Sequence, residues 1–365
     1  MRVLVTGGIG LIGSACCKLL LEKGHEVVSV DNNTRKALFG DEANNLANMD
    51  DDFSGNKNLE LVDADIRNEE LMSKIIKNVD ALIHLAAQPS HPKSLEIPME
   101  DFQINAYGTL LLLEITRQLN PEIPFAFMST NKVYGDYPNY FNYKIIGRRY
   151  ENVALESFNE ELPTDRCGHT PFGVSKLAAD TYTQEYAINY GLKTATFRGG
   201  CLTGKNSRAV EMHGFLPYII KCALTRKRYY VYGGGYRVRD QVHSSDVAAA
   251  LYEFIKNPKP GILGSYGKVY NLGGGRENSV SIFETIDAIK AKTSIELDFE
   301  DAPERESDHI WWISDLSKFK KDYPLWKLTK DKDFIFNEII EHYITSLGLP
   351  VKLGMEDYFK SKNVA

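Results

Sequence analysis

The chain predicts an α/β fold: a Rossmann-type doubly wound parallel sheet followed by a smaller mixed α/β C-terminal lobe. Three observations carry this expectation. Short apolar runs alternate with helix-period stretches through the first half of the 365 residues, a glycine-spaced turn joins the first run to the first helix pattern, and the alternation fades after Arg198.

Taken in order, residues 3–6, 26–30, 59–62, 81–85, 125–129 and 194–198 read as buried parallel strands, because each is a short, nearly continuous apolar run. Helix patterns fall between them at 11–22, 69–77, 102–118 and 174–190. Two stretches are long for connections in a compact domain, 32–57 and 137–170, and loops of that length are usually functional or locally structured. Beyond Arg198, Gly233-Gly234-Gly235, Pro258-Lys259-Pro260-Gly261 and Gly273-Gly274-Gly275 punctuate the chain. The stretch after Leu347 carries a Gly-Leu-Pro break and is expected to pack loosely.

Composition excludes several classes. A net charge of −6 implies no basic face and argues against a nucleic-acid partner. No segment approaches the ~20 uninterrupted apolar residues that a membrane span needs, so no membrane partner is expected. The five cysteines (Cys16, Cys17, Cys167, Cys201 and Cys222) form no CxxC and no metal-ligand spacing, and read as reduced thiols with no metal site. Val3-Leu4-Val5 begins almost at the initiator Met and leaves no room for a signal or transit peptide, so a cytoplasmic location is expected.

Gly7, Gly10 and Gly13 follow the first strand and open the first helix. That context suits a dinucleotide: one glycine turns the chain, one admits the pyrophosphate and one lets helix and strand pack closely. The helix N-terminus then offers unpaired N–H groups to the phosphates. Glycines also occur in ordinary turns, but Asp31 closes the second strand roughly 20 residues on, where an acid binds the ribose 2′-hydroxyl of NAD and repels an NADP phosphate. Arg35 and Lys36 pull the other way; Asp31 outweighs them, and NAD is the expected cofactor.

Three motifs extend this reading: Thr6-Gly7-Gly8-Ile9-Gly10-Leu11-Ile12-Gly13, Thr130-Asn131-Lys132-Val133-Tyr134-Gly135, and His169-Thr170-Pro171-Phe172-Gly173-Val174-Ser175-Lys176. Together they resemble the extended short-chain dehydrogenase/reductase family, whose members oxidise and reduce nucleotide-bound sugars with a tightly held NAD. The resemblance implies that Thr130 hydrogen-bonds the reacting oxygen and that Lys176 binds the nicotinamide ribose. It places Asp65 beside the adenine and the turn Leu85-Ala86-Ala87 along the nicotinamide half, with Ile12, Asn32, Arg35 and Ile66 also lining the cofactor. Asn105 resembles the family's sheet-stabilising helix asparagine, and His84 reads as a satisfied core histidine.

The family places a tyrosine four residues before the lysine, where its phenolate removes a sugar hydroxyl proton. Here that position holds Phe172, which accepts no proton, and general acid–base help is commonly worth ~10²–10⁴ in rate. Three readings stay open. Another group carries the proton: His169, Tyr134, Cys167, or Lys176 itself with a pKa depressed by burial. Alternatively the chain is an engineered Tyr-to-Phe inactive form, or it has kept binding and lost catalysis. Dehydratases of the family usually carry Asp-Glu after the threonine; Asn131-Lys132 stands here, which disfavours dehydration.

In the second half, Arg237-Val238-Arg239-Asp240-Gln241-Val242-His243 with Asp246-Val247-Ala248, and Arg305-Glu306-Ser307-Asp308, are similar to family segments whose arginines grip the substrate pyrophosphate. Arg239 and Arg305 would do so here, held by Asp240 and Asp308, with Lys132, Tyr134 and His169 completing the substrate site. Within the family, Asp31-Asn32-Asn33-Thr34-Arg35-Lys36, Ser129-Thr130-Asn131-Lys132, the insert before His169 and Pro303-Glu304-Arg305 resemble the CDP-paratose (CDP-tyvelose) 2-epimerase branch. Phe172 and the small, flexible segment Gly199-Gly200-Cys201-Leu202-Thr203-Gly204 depart from it.

That likeness implies an NAD-dependent isomerase epimerising a CDP-linked 6-deoxyhexose through a transient keto-sugar. A UDP-sugar 4-epimerase, another nucleotide-sugar oxidoreductase with a replaced proton carrier, and a noncatalytic binder of NAD or nucleotide sugar are the alternatives. It further implies an NAD-binding domain over residues 1–198 and a substrate lobe over 199–365, with segments around 236–275 returning to the first. A homodimer through the helices at 102–118 and 174–190 is expected by the same likeness.

Overall fold

The computed structural model describes residues 1–49, 53, 55–261, 264 and 266–349. Seven strands build the central sheet: β1 (Arg2–Thr6), β2 (Glu26–Asp31), β3 (Leu59–Asp63), β4 (Ala81–His84), β5 (Pro124–Thr130), β6 (Lys193–Gly199) and β7 (Lys268–Leu272). Their order is β7-β6-β5-β4-β1-β2-β3, and every neighbouring pair is parallel. The order reverses between β1 and β4, which is where an open α/β sheet leaves a crevice beyond the carboxyl ends of its strands.

Alternation along each strand feeds two apolar layers. Val3 and Val5 enter one layer and Leu4 the other, the period of two that a pleated strand imposes. Cys16, Cys17 and Leu20 of the Leu11–Glu22 helix, with Val247, Leu251 and Phe254 of the Ser244–Lys256 helix, cover the first face. Met72, Leu112, Leu113 and Ala179, from the Glu69–Ile76, Gly108–Leu119 and Pro171–Tyr190 helices, cover the second. Burial on both faces explains why β1, β4 and β5 read as nearly continuous apolar runs. The six expected strands are present within a residue of their expected bounds; β7 is a seventh, pairing along β6 at the sheet edge.

Two helices differ from expectation in ways that matter for the site. The stretch expected at 102–118 begins at Pro98, passes through a π-helical segment at Gln103–Tyr107 and continues as Gly108–Leu119. Such bulges favour functional positions, and this one carries Asn105. The helix expected from residue 174 starts at Pro171, whose fixed φ suits a first helical position and brings Phe172 into the first turn.

Both long connections hold structure of their own. The first contains the Thr34–Phe39 helix and tight turns at Asp41–Ala43 and Asn45–Asn48. The second contains an antiparallel hairpin, Tyr143–Ile146 with Arg149–Asn152. In the C-terminal lobe the Phe215–Thr225, Ile282–Thr293 and Lys332–Ser346 helices share a second core around Ile219, Ile289 and Ile339. The stretch expected to pack loosely lies, from residue 350 on, outside the described residues. All five cysteines are unpaired, and among the described residues no helix is long and apolar enough to cross a membrane.

Candidate active site

A cavity of about 470 Å³ opens at the carboxyl ends of the strands, within the usual range for a ligand site. Its first half is made of backbone. Gly7 has φ +68°, and a Cβ there would lie 2.7 Å from the Ala86 nitrogen; one on Gly13 would lie 2.0 Å from the Gly7 carbonyl oxygen. The turn therefore closes only with glycine at both places. The helix it feeds begins at Leu11 with Gly10 as an N-cap that supplies no side chain, so its first-turn N–H groups face the cavity mouth.

Acidic residues stand at the ends of the next strands. Asp31 accepts from the Asn33 N–H at 2.7 Å and the Ile9 N–H at 3.3 Å. Burial raises its pKa and those two donors oppose the rise. Asn32 donates to Asp65 at 3.1 Å, and Arg67 grips Asp65 through Nε at 2.9 Å and Nη2 at 2.7 Å, which holds that carboxyl below its usual range. Ile12, Ile66, Leu85, Ala86 and Ala87 line the walls. Arg35 lines the cavity too, but its guanidinium donates to the Arg208 carbonyl at 2.7 Å and lies 2.9 Å from His213 Nδ1; burial lowers its pKa to about 10. A glycine cradle at a helix N-terminus, an acid at the end of β2 and apolar walls fit an adenine dinucleotide.

Thr130, Phe172 and Lys176 come together in the second half of the same cavity. Thr130 ends β5, and its hydroxyl oxygen accepts the Lys132 N–H at 3.2 Å, which fixes the turn at Asn131–Tyr134. Lys176 is buried; its Nζ donates to the Met128 carbonyl at 2.8 Å and sits 4.2 Å from the centre of the Phe127 ring. Burial lowers its pKa to about 7 against the pull of Asp180 and Asp101. Phe172, 7 % exposed, presents a ring and no hydroxyl.

Tyr134 and His169 require correction. Neither lines the cavity. Tyr134 is fully buried, donating to Asn271 at 2.8 Å, accepting from Arg198 at 3.0 Å and stacking on Trp312. The tight turn at Asn131–Tyr134 swings it away from Thr130 and into the aromatic cluster beneath the insert. His169 lies with Nε2 2.9 Å from the Val133 carbonyl oxygen and Nδ1 3.2 Å from that of Cys167. Cys167 is outside the lining as well, so of the four expected substitutes for the tyrosine only Lys176 borders the cavity. Asp240 holds no arginine: it accepts from the Gly275 and Ser314 N–H groups, each at 3.0 Å.

The far end gathers the charged residues of the second half. Asp308 accepts from Lys132 at 3.0 Å and from Arg239 at 2.8 Å. Burial pushes its pKa up, but Arg239, Lys132 and Arg237 overcome this and hold it well below the usual range. Arg305 lies 3.8 Å over the Tyr232 ring, beside a wall that includes Phe215, Tyr218 and Tyr229. Cys201, from the segment at 199–204 noted in the sequence, also lines the cavity, as does His91, which was not singled out from the sequence. His91 stands four residues after Ala87, in Ser90-His91-Pro92; a serine cap before a proline is the one sequence signal that could have located it.

Comparison with known proteins agrees with this fold. A family model described as the NAD dependent epimerase/dehydratase family matches residues 3–273. The CDP-paratose 2-epimerase of Salmonella typhi is 32 % identical over 325 residues, covering 87 % of this chain and 92 % of the other. The structure of UDP-glucuronic acid 4-epimerase from Bacillus cereus, in complex with UDP-glucuronic acid and NAD, superposes with a TM-score of 0.78 at 22 % identity, over 95 % of this chain and all (100 %) of that one. The Thermus thermophilus UDP-glucose 4-epimerase complex with NAD gives a TM-score of 0.73 at 26 % identity, over 94 % and 99 % of the two chains.

Proposed function

The chain belongs to the NAD-dependent epimerase/dehydratase family, and from that premise we propose that it epimerises a nucleotide sugar by transient oxidation, acting at C2 of a CDP-linked 6-deoxyhexose. One observation carries the reading: a single cavity joins a glycine cradle and Asp31 at one end to Thr130, Lys176, Arg239 and Arg305 at the other. The likeness to the Salmonella enzyme over nearly its full length supports the CDP-sugar and the 2-position.

NAD, when bound, accepts a hydride from a ring carbon and returns it. Gly7, Gly10 and Gly13 admit its pyrophosphate to the helix N-terminus, and Asp31 binds the adenine ribose and repels a 2′-phosphate. Asp65 and Ile66 face the adenine, and Lys176 holds the nicotinamide ribose. Thr130 hydrogen-bonds the sugar oxygen that becomes a carbonyl. Arg239 and Arg305 would take the diphosphate with charge-assisted bonds, and Lys132 would add a third cation from the same cavity. Exposed Met99, Phe102, Tyr107, Val174 and Tyr182 lie on the two helical segments of the expected homodimer face.

Phe172 favours a second reading, a noncatalytic binder of NAD and nucleotide sugar. The two separate on turnover. The purified chain should release NAD on denaturation and convert one member of a panel of CDP- and UDP-linked hexoses and 6-deoxyhexoses to a new epimer by NMR. Retained NAD with no product from any sugar supports the binder. Protein without NAD and without affinity for it sinks both.

A further inference from the structure

The cavity contains a base that the family resemblance does not supply. His91 lines it together with Thr130, Phe172, Lys176, Lys132, Arg239, Arg305 and Asp308. Its Nε2 is buried and has no hydrogen-bond partner. Buried polar groups are normally paired, so an unpaired nitrogen at a ligand site points to a partner that arrives with the ligand.

His91 is also tied to the helix that carries Phe172. The Ser90 N–H donates to Gln88 Oε1 at 2.6 Å, and Gln88 Nε2 donates to Asp101 Oδ1 at 2.7 Å. Asp101 Oδ2 accepts from the hydroxyl of Ser175, three residues after Phe172. Asn105, from the π-helical segment, closes the network by accepting the Gln88 N–H at 2.9 Å and donating to Ser175 at 3.2 Å. Gln88, Asp101, Asn105 and Ser175 are all buried. The short His91–Ser94 helix packs on the Pro171–Tyr190 helix besides. The segment that carries His91 is therefore tied to the helix that carries Phe172.

We propose that His91 is the proton carrier of this site, taking through Nε2 the hydroxyl proton that the residue at 172 cannot take; the inference rests on the epimerase reading above. In the forward half, the sugar O–H bond breaks, its proton bonds to Nε2 and the carbon becomes a carbonyl as its hydride leaves to the bound dinucleotide. In the return half, the hydride rejoins the carbon from the other face, the Nε2–H bond breaks and the hydroxyl re-forms. Nothing is oxidised or reduced overall, and the imidazole ends neutral as it began.

The surrounding charges set the proton affinity in the required sense. Burial first, then Lys132, Arg305 and Arg239, push the His91 pKa down to about 3, with Asp308 pulling it up. In the absence of a diphosphate, His91 is therefore the neutral, proton-accepting form. A diphosphate on those three cations cancels their repulsion and raises the basicity of His91 when substrate is present.

Two measurements test this. His91→Gln should lower epimer formation ~10²–10⁴-fold while NAD content and the affinity for CDP and UDP stay unchanged, and adding Phe172→Tyr to it should restore turnover. Independently of turnover, the His91 imidazole followed by NMR should titrate at higher pH when CDP or UDP is added. Turnover that survives His91→Gln overturns the proton role and leaves the epimerase reading standing. A wild-type chain that converts no sugar overturns that reading and the proton role with it. An imidazole indifferent to both nucleotides overturns the placement of His91 beside the diphosphate.

Discussion

The two halves of the cavity are built on opposite plans. The cofactor half is backbone and turn: Gly7 and Gly13 are where they are because a Cβ at either would meet main-chain atoms at 2.7 and 2.0 Å. The chemical half is side chains delivered by separate segments: Thr130 from the end of β5, Lys176 from one helix, Lys132 from a tight turn, Arg239 from a second-half strand and Arg305 from a loop. Steric necessity in one chain segment protects the first half from substitution. The second half depends on convergence, and Phe172 stands within it where the family resemblance places a tyrosine.

The largest blow to the comparison should fall on the cradle. Gly13→Val puts a branched side chain against the Gly7 carbonyl and should abolish NAD retention, measured as cofactor released from the purified protein; an intact NAD content would refute the steric account of the turn. Lys176→Met comes next, with epimer formation down ~10²–10⁴-fold through the lost ribose contact and charge.

Lys176 also makes a pH prediction. Its folded pKa near 7 lies below the unfolded value of about 10.4. Below pH 7 the lysine is protonated in both states and the burial cost is felt in full. Between about 7 and 10 the unfolded chain binds more protons, so the stability of the cofactor-free protein rises with pH. Lys176→Met should flatten that rise, read from urea midpoints across the range. A slope unchanged by the substitution would mean that the lysine is not held in this low-dielectric position.

Smaller effects separate site from support. Arg305→Ala should weaken CDP or UDP binding ~10- to 100-fold, in line with about 1.5–3 kcal/mol for a hydrogen bond to a charged group, and leave NAD content alone. Tyr134→Phe removes the hydroxyl that joins Asn271 to Arg198 and should cost ~1–3 kcal/mol of stability with no change in KM. A raised KM with unchanged stability would return Tyr134 to the substrate site.

Legibility follows the same division. The strands and the glycine turn are local patterns, and six strands fall where their apolar runs place them. β7 was not legible because Lys268-Val269-Tyr270-Asn271-Leu272 mixes polar and apolar residues at a sheet edge, where one flank has no partner strand. Asp308 was read as holding a motif arginine and does hold one, Arg239 from the other motif, whereas Arg305 donates to the Glu211 carbonyl and Asp240 turns to the backbone of Gly275 and Ser314. Tyr134 was misplaced because a tight turn rotates its side chain by an amount no periodicity encodes, and His169 because its ring turns to the Val133 and Cys167 carbonyls, a tertiary contact with no local signal. His91 is a lone histidine in a four-residue helix, and only the cavity around it gives it meaning.

The central claim is that a ring hydrogen leaves as hydride and returns as hydride. Turnover of the responsive nucleotide sugar in D₂O, followed by NMR at the inverted carbon, tests it most directly. The account predicts an epimer that keeps its original hydrogen at that carbon. Deuterium at the inverted centre would contradict it, because the hydrogen would then have exchanged with solvent as a proton.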